Sequence, residues 1–164
     1  MSQTSGEVLL DVKNLSMEFK VGRRKKRIIK GVDDVSFQIH RAETFGLVGE
    51  SGCGKSTTGR CLIRLYNPTS GSVQFMGREL TGKLDADKKK FITDHISMIF
   101  QDPIESLNPR MTISEIVGEG LKVHGMKDPK EVEDKVVAML KRVGLTQEHA
   151  SRYPHEFSGG QRQR

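Results

Sequence analysis

Gly49-Glu50-Ser51-Gly52-Cys53-Gly54-Lys55-Ser56-Thr57 is the stretch on which the reading of this chain turns. It fits the pattern G-x-x-x-x-G-K-[ST], that of a phosphate-binding loop. Each residue type has a chemical reason to be there. Glycines let the backbone turn sharply and bring several N–H groups close to a polyphosphate. Lys55 offers a positive point charge to the β- and γ-phosphates. The Ser56 hydroxyl is a hard oxygen ligand of the kind Mg²⁺ takes. A helix opening here would add its N-terminal dipole to the attraction for anions.

The flanks agree with that reading. Thr44-Phe45-Gly46-Leu47-Val48 is a short apolar run and predicts a buried strand. Behind the loop, Thr58, Cys61, Leu62 and Leu65 fall at helical spacing, and Asn67-Pro68 ends the run. Strand, glycine loop, helix is the order the motif requires, which argues against a chance match in a Gly-rich chain.

With 164 residues, the chain is long enough for one ordinary domain or a small two-lobed one. At 35% hydrophobic and 29% charged it has a globular, soluble composition. Aromatics make up 5% and Trp is absent, so the core is expected to be aliphatic. A net charge of +6 fits anionic partners such as nucleotides, acidic lipid or nucleic acid without choosing among them. Cys53 lies in the loop and Cys61 on the helix after it, which suits cytosolic thiols better than a disulfide framework or a metal site. There is no signal-peptide pattern, and no run approaches the roughly 18 apolar residues of a membrane span.

From the start of the chain, Val8 to Val12 and Leu15 to Phe19 predict two short strands, with Asp11, Lys13, Asn14 and Ser16 as polar interruptions. Gly22 to Arg27 is a basic turn, best read as a solvated hairpin tip. Strand signal resumes at Ile28 and Ile29. It continues as alternation at Val35, Phe37 and Ile39, and again at Val73 and Phe75 up to a turn at Gly77. A polar helix is predicted from Lys83 to Asp94, its Lys88-Lys89-Lys90 on a solvated face, and a buried strand at Ile96, Met98, Ile99 and Phe100. The character then turns helical. Thr112-Ile113-Ser114-Glu115 is a capping box whose helix turns Ile113, Ile116, Val117 and Leu121 inward, weakened by Gly118 and Gly120. Asp128-Pro129 starts a second helix, striped by Val132, Val136, Met139, Leu140 and Val143 and stopped by Gly144. Glu131 and Lys135 can pair on its outer face.

Two further signals carry chemistry. Gln101 closes a predicted strand, where a neutral amide can ligate Mg²⁺ or orient an attacking water. Ser158-Gly159-Gly160-Gln161 is a second Gly-rich stretch that suits backbone approaching phosphate at a helix start. Taken alone, each is more often a strand end or a loop.

In this order and at this spacing, the three motifs resemble the ATP-binding subunit of an ABC transporter, over essentially all of the chain from about Leu9. Val48 to Thr57, Gln101-Asp102-Pro103 with Ser106-Leu107-Asn108-Pro109-Arg110-Met111-Thr112, and Tyr153-Pro154-His155-Glu156-Phe157 are similar to the oligopeptide, dipeptide and nickel importer branch. The resemblance implies an α/β P-loop NTPase fold: an antiparallel β subdomain, a partial parallel-sheet core and a helical subdomain. It implies a nucleotide-binding core at residues 1–102 and a helical lobe at 103–164. Residues 49 to 57 would hold ATP and Mg²⁺, with Lys55 and Gln101 as catalytic residues and Ser56 and Gln101 on the metal. Phe19 would stack on adenine. Ser158, Gly159, Gly160 and Gln161 would form the signature loop, with Phe157 where Leu is commoner, and contact the nucleotide held by a second ATP-binding subunit in a head-to-tail dimer. The helical lobe would dock on membrane-spanning permease subunits, placing the protein at the cytoplasmic face of the cell membrane, with no direct nucleic-acid contact.

In that family a hydrophobic strand ending in Asp-Glu and a switch His come next. No Asp-Glu pair follows an apolar run here, and none of the five His residues (His40, His95, His124, His149, His155) stands where the switch would. The chain is therefore expected to be the N-terminal portion of a longer subunit, with the C-terminal strands absent, unable to turn over ATP alone and marginal in stability. The expected function is coupling ATP binding and hydrolysis to peptide uptake. Two rivals stand beside it: a soluble ABC-type ATPase acting on nucleic acid or ribosomes, which the basic run would suit, and a non-hydrolysing module that occupies the dimer interface.

Overall fold

The computed structural model describes residues 6–22, 27–100 and 106–164. Gln101, Asp102, Pro103 and most of the basic turn lie outside them. The described chain forms two compact units, divided between Met98 and Ile99.

The first unit is built on a four-stranded antiparallel sheet in the order β2-β1-β3-β4, from Val8–Val21 (β1), Arg27–His40 (β2), Ser70–Phe75 (β3) and Arg78–Glu79 (β4). The two short strands expected before Phe19 are one strand with irregular pairing. Its register shifts between Val12 and Leu15, where Asn14 takes a left-handed φ of 49°. The extra residue switches the alternation, so that Leu10 and Val12 before it and Leu15 after it all face the core. Asn14 is held there by the Ser36 hydroxyl, which accepts its N–H at 2.8 Å, and by Asp34, which accepts from its amide. Beneath the sheet, Leu10, Val12, Leu15, Val32, Val73 and Leu80 pack with Cys61 and Ile92 of two helices, α1 (Lys55–Leu62) and α2 (Ala86–His95). Asp85 caps α2 by accepting from the Lys88 N–H at 2.8 Å.

Three expectations fail in the chain up to Phe100. The segments 44–48 and 96–100 are not strands, and no described segment pairs with them, so no parallel ladder forms among the described residues. Part of their apolar surface stays open, Val48 at 91% and Ile99 at 97% exposed, while Ile96 packs on the core and Phe45 stacks on Phe37. An apolar run becomes a strand only where a neighbour takes its N–H and C=O groups. Leu65 is not on α1 and is exposed. The helix ends at Leu62 because Arg64 turns left-handed at φ 60°. Its buried guanidinium donates to the carbonyls of Leu80 and Gly82 and to the Asn67 side chain.

The second unit packs α3 (Ile113–Val123) on α4 (Pro129–Arg142), followed by two 3₁₀ turns, Gln147–Ser151 and Pro154–Glu156, and the short α5 (Gly159–Arg162). Both predicted start signals act as caps. Thr112 and Glu115 exchange bonds across the first turn of α3, and Asp128 accepts from the Lys130 N–H at 3.0 Å. The Glu131–Lys135 pair forms at 3.3 Å. Ile113, Val132, Val136, Leu140, Leu145 and Phe157 make the core. Met139 and Val143, expected inward, are partly exposed and line an apolar cleft of about 260 Å³ instead. Gly118 does more than weaken α3: a Cβ there would lie 3.0 Å from Val132 Cγ1, so the glycine sets how closely the two helices approach.

Candidate functional site

The loop Gly49 to Gly54 opens directly into α1, as its sequence requires. Gly54 is the N-cap residue, at φ 100° and ψ 2°. Its conformation is one that side chains disfavour, and its surroundings leave no room for one. A Cβ on Gly54 would sit 2.1 Å from the Gly31 carbonyl oxygen of β2. The loop is therefore seated on β2 by direct backbone contact.

Lys55 curls back over the loop. Its Nζ donates to the carbonyls of Gly49 at 2.7 Å and Glu50 at 2.6 Å, and approaches Cys53 Sγ at 3.6 Å. The Glu50 carbonyl also accepts the Cys53 N–H at 3.3 Å, which closes the turn. Thr58 is buried and ties the helix to the loop, its hydroxyl and N–H both donating to the Gly54 carbonyl. Ser51, Gly52, Cys53 and Ser56 face solvent. The first N–H groups of a helix have no intrahelical acceptor. Free N–H groups, an ammonium and an exposed hydroxyl together form a donor set that fits a polyphosphate and is closed to no part of it. Beside the loop, a cavity of about 290 Å³ is lined by Lys30, Gly31, Asp33, Leu47, Val48 and Lys55 among others. The two cysteines are free thiols. Cys53 is exposed, and burial pushes the Cys61 thiol up against the opposing pull of Arg64.

Phe19 lies in this unit, half-buried on β1. Its ring covers Gly31 and meets the Tyr66 ring edge-on at 5.4 Å. Gly31 and Tyr66 are absent from the residues picked out by sequence. The signal for Gly31 was available: a lone glycine inside a strand pattern marks a close backbone approach.

Ser158 to Gln161 lie in the second unit. Ser158 caps α5, its hydroxyl accepting the Gln161 N–H at 3.3 Å while Gln161 Oε1 accepts the Ser158 N–H at 3.0 Å. Arg162 Nε donates to the Phe157 carbonyl at 3.0 Å. Gly159 and Gly160 have open space where a Cβ would be. Phe157 is the anchor, buried in the helical core against His149. Gln101 lies outside the described residues.

A glycine loop seated on a strand, opening a helix and folding its lysine back over its own carbonyls, is the architecture of the phosphate-loop class. Its family follows from comparison with known proteins. The ABC transporter family model matches residues 32–164, and the chain belongs to that family. It is 53% identical over 159 residues to the oligopeptide transport ATP-binding protein OppF of Bacillus subtilis, covering 96% of this chain and 51% of that protein. It is 45% identical over 165 residues to OppF of Salmonella typhimurium, covering 96% and 49%. Among solved structures, it resembles the dimeric post-hydrolysis state of the ATP-binding cassette MJ0796 bound to ADP and Pi. The TM-score is 0.79 at 30% identity, covering 94% of this chain and 65% of that one. The chain thus spans about half the length of the curated relatives it matches. No helix among the described residues is long and apolar enough to cross a membrane.

Proposed function

We propose that this chain carries the phosphate-gripping part of an ABC importer ATPase that binds ATP with Mg²⁺ and serves the uptake of oligopeptides. The observation that carries the reading is Lys55, held by the Gly49 and Glu50 carbonyls at the mouth of α1. In that position its ammonium would meet the β- and γ-phosphates, and the loop N–H groups would supply further donors to them. A cation here would rest on phosphate oxygens, the Ser56 hydroxyl and the Gln101 amide. When bound, Mg²⁺ would neutralise charge on the β- and γ-phosphates. Gln101 would sense it, and Phe19 would take the base.

In the second unit, the N–H groups of Gly159 and Gly160 and the Ser158 hydroxyl would face the nucleotide of a second subunit. The pair would be head-to-tail on permease subunits at the cytoplasmic membrane face; the dimeric MJ0796 cassette supports pairing, and the names of the oligopeptide relatives support a part in transport. The lobes would divide at residues 1–102 and 103–164. The nucleic-acid rival has no comparable support. Since no Asp-Glu pair follows an apolar run in these residues, this chain alone would bind nucleotide without steady turnover. Continuous Mg²⁺-dependent phosphate release from the purified chain would refute that point.

The test of the main reading is nucleotide affinity. Charge-assisted hydrogen bonds contribute about 1.5–3 kcal/mol each, so Lys55→Ala is expected to weaken Mg-ATP binding by roughly 10- to 100-fold. Unchanged affinity in Lys55→Ala would overturn the assignment.

A further inference from the structure

Building on that nucleotide reading, we infer that Tyr66, backed by Arg60, is a positioning residue for base recognition: it fixes the Phe19 ring relative to the phosphate loop. Three segments meet at Phe19. A Cβ on Gly31 of β2 would lie 2.6 Å from Phe19 Cε2 and 3.1 Å from Thr57 Cγ2 of α1, so ring, strand and helix converge on that glycine. Tyr66 meets the same ring at 5.4 Å between centroids with the planes at 84°, the edge-to-face arrangement aromatic quadrupoles favour.

Tyr66 is itself tied to the loop's own helix. The Arg60 carbonyl in the last turn of α1 accepts the N–H groups of Leu65 at 2.9 Å and Tyr66 at 3.2 Å. The Arg60 guanidinium lies 5.8 Å over the Tyr66 ring, within cation–π range. Helix α1 therefore sets phosphate donors at its start and, through Arg60 and Tyr66, the orientation of a candidate base platform on β1. A ring free to rotate would lose ordering entropy on stacking, and a ring already held does not.

The test separates base from phosphate. Affinities for Mg-ATP and for inorganic tripolyphosphate are measured on the intact chain. Tyr66→Ala is expected to weaken ATP binding about 5-fold and leave tripolyphosphate binding unchanged. Tyr66→Phe keeps the ring edge and should restore wild-type affinity. Tyr66→Leu keeps apolar volume without the ring and should repeat the ATP-selective loss. On a Phe19→Ala background, Tyr66→Ala should add nothing. Equal weakening of both ligands in Tyr66→Ala and Tyr66→Leu, no weakening of either, or losses that add to Phe19→Ala would each overturn the inference. If the wild-type chain binds neither ligand, the nucleotide reading itself fails; if it binds both and the variants show no ATP-selective loss, only the role of Tyr66 does.

Discussion

Gly54→Ala puts the seat of the phosphate loop to the test. Two costs arise at that position, and the structure separates them. The first is conformational: at φ +100° an L side chain is strained, by about 1–2 kcal/mol. The second is a collision. The new Cβ would fall 2.1 Å from the Gly31 carbonyl oxygen, whereas heavy atoms rest about 3.5 Å apart, so two backbones must part by more than about 1 Å. Forced repacking of that kind costs about 1–3 kcal/mol. The two together come to about 2–5 kcal/mol, a large share of the roughly 5–15 kcal/mol that holds a domain folded. Gly52→Ala is the control, because its φ is +81° but nothing lies within 4 Å of its Cβ position. It carries the first cost alone. Urea unfolding followed by circular dichroism reads both variants, and Mg-ATP binding is measured alongside. Gly54→Ala should lose clearly more stability than Gly52→Ala. It should also bind Mg-ATP at least 10-fold more weakly, by an estimate of about 1.4 kcal/mol for the displaced loop. Equal stability of the two variants, with nucleotide binding intact in Gly54→Ala, would mean that the loop does not rest on β2.

The helical unit supports three further expectations. Gly118→Val meets Val132 Cγ1 head-on and should destabilise by about 1–3 kcal/mol, while Gly120→Ala, with open space around it, should stabilise α3 by about 1 kcal/mol; thermal melts that rank them the other way would contradict the close packing of α3 on α4. Thr112→Ala removes the side-chain half of the α3 cap and should cost about 1 kcal/mol in the same melts, a loss absent from Ser114→Ala. Hydrogen bonds from the Thr112 N–H and hydroxyl hold the Glu115 carboxyl below its ordinary value of 4.5. A carboxylate lowered on folding stabilises above its unfolded value and loses that contribution as pH falls through its folded one. The stability gap between wild type and Glu115→Gln should therefore be full at neutral pH and shrink below 4.5, and a gap independent of pH would count against the bond.

What could be read from the sequence is what local chemistry decides. The loop-to-helix junction at Lys55 and the caps at Thr112 and Asp128 each depend on residues within four positions of one another, so the pattern and the geometry coincide. The misses share a different cause. Asn14 reads as a break between strands, yet β1 runs through it as a bulge, because Ser36 and Asp34 on the neighbouring strand satisfy its polar groups. Leu65 fits the helical stripe, yet α1 stops before it. Arg64 holds a left-handed turn that a glycine would ordinarily take, anchored on carbonyls at Leu80 and Gly82 that nothing near Arg64 announces. The runs at 44–48 and 96–100 are apolar enough for strands, but hydrophobicity records only what a segment can bury, and pairing is a property of two segments. The contact between Phe19 and Tyr66 belongs to the same class. Phe19 lies on β1, Gly31 on β2 and Tyr66 in the turn that leaves α1, the helix the phosphate loop begins. A motif scan finds the start of that helix, and only the fold shows what hangs from its other end.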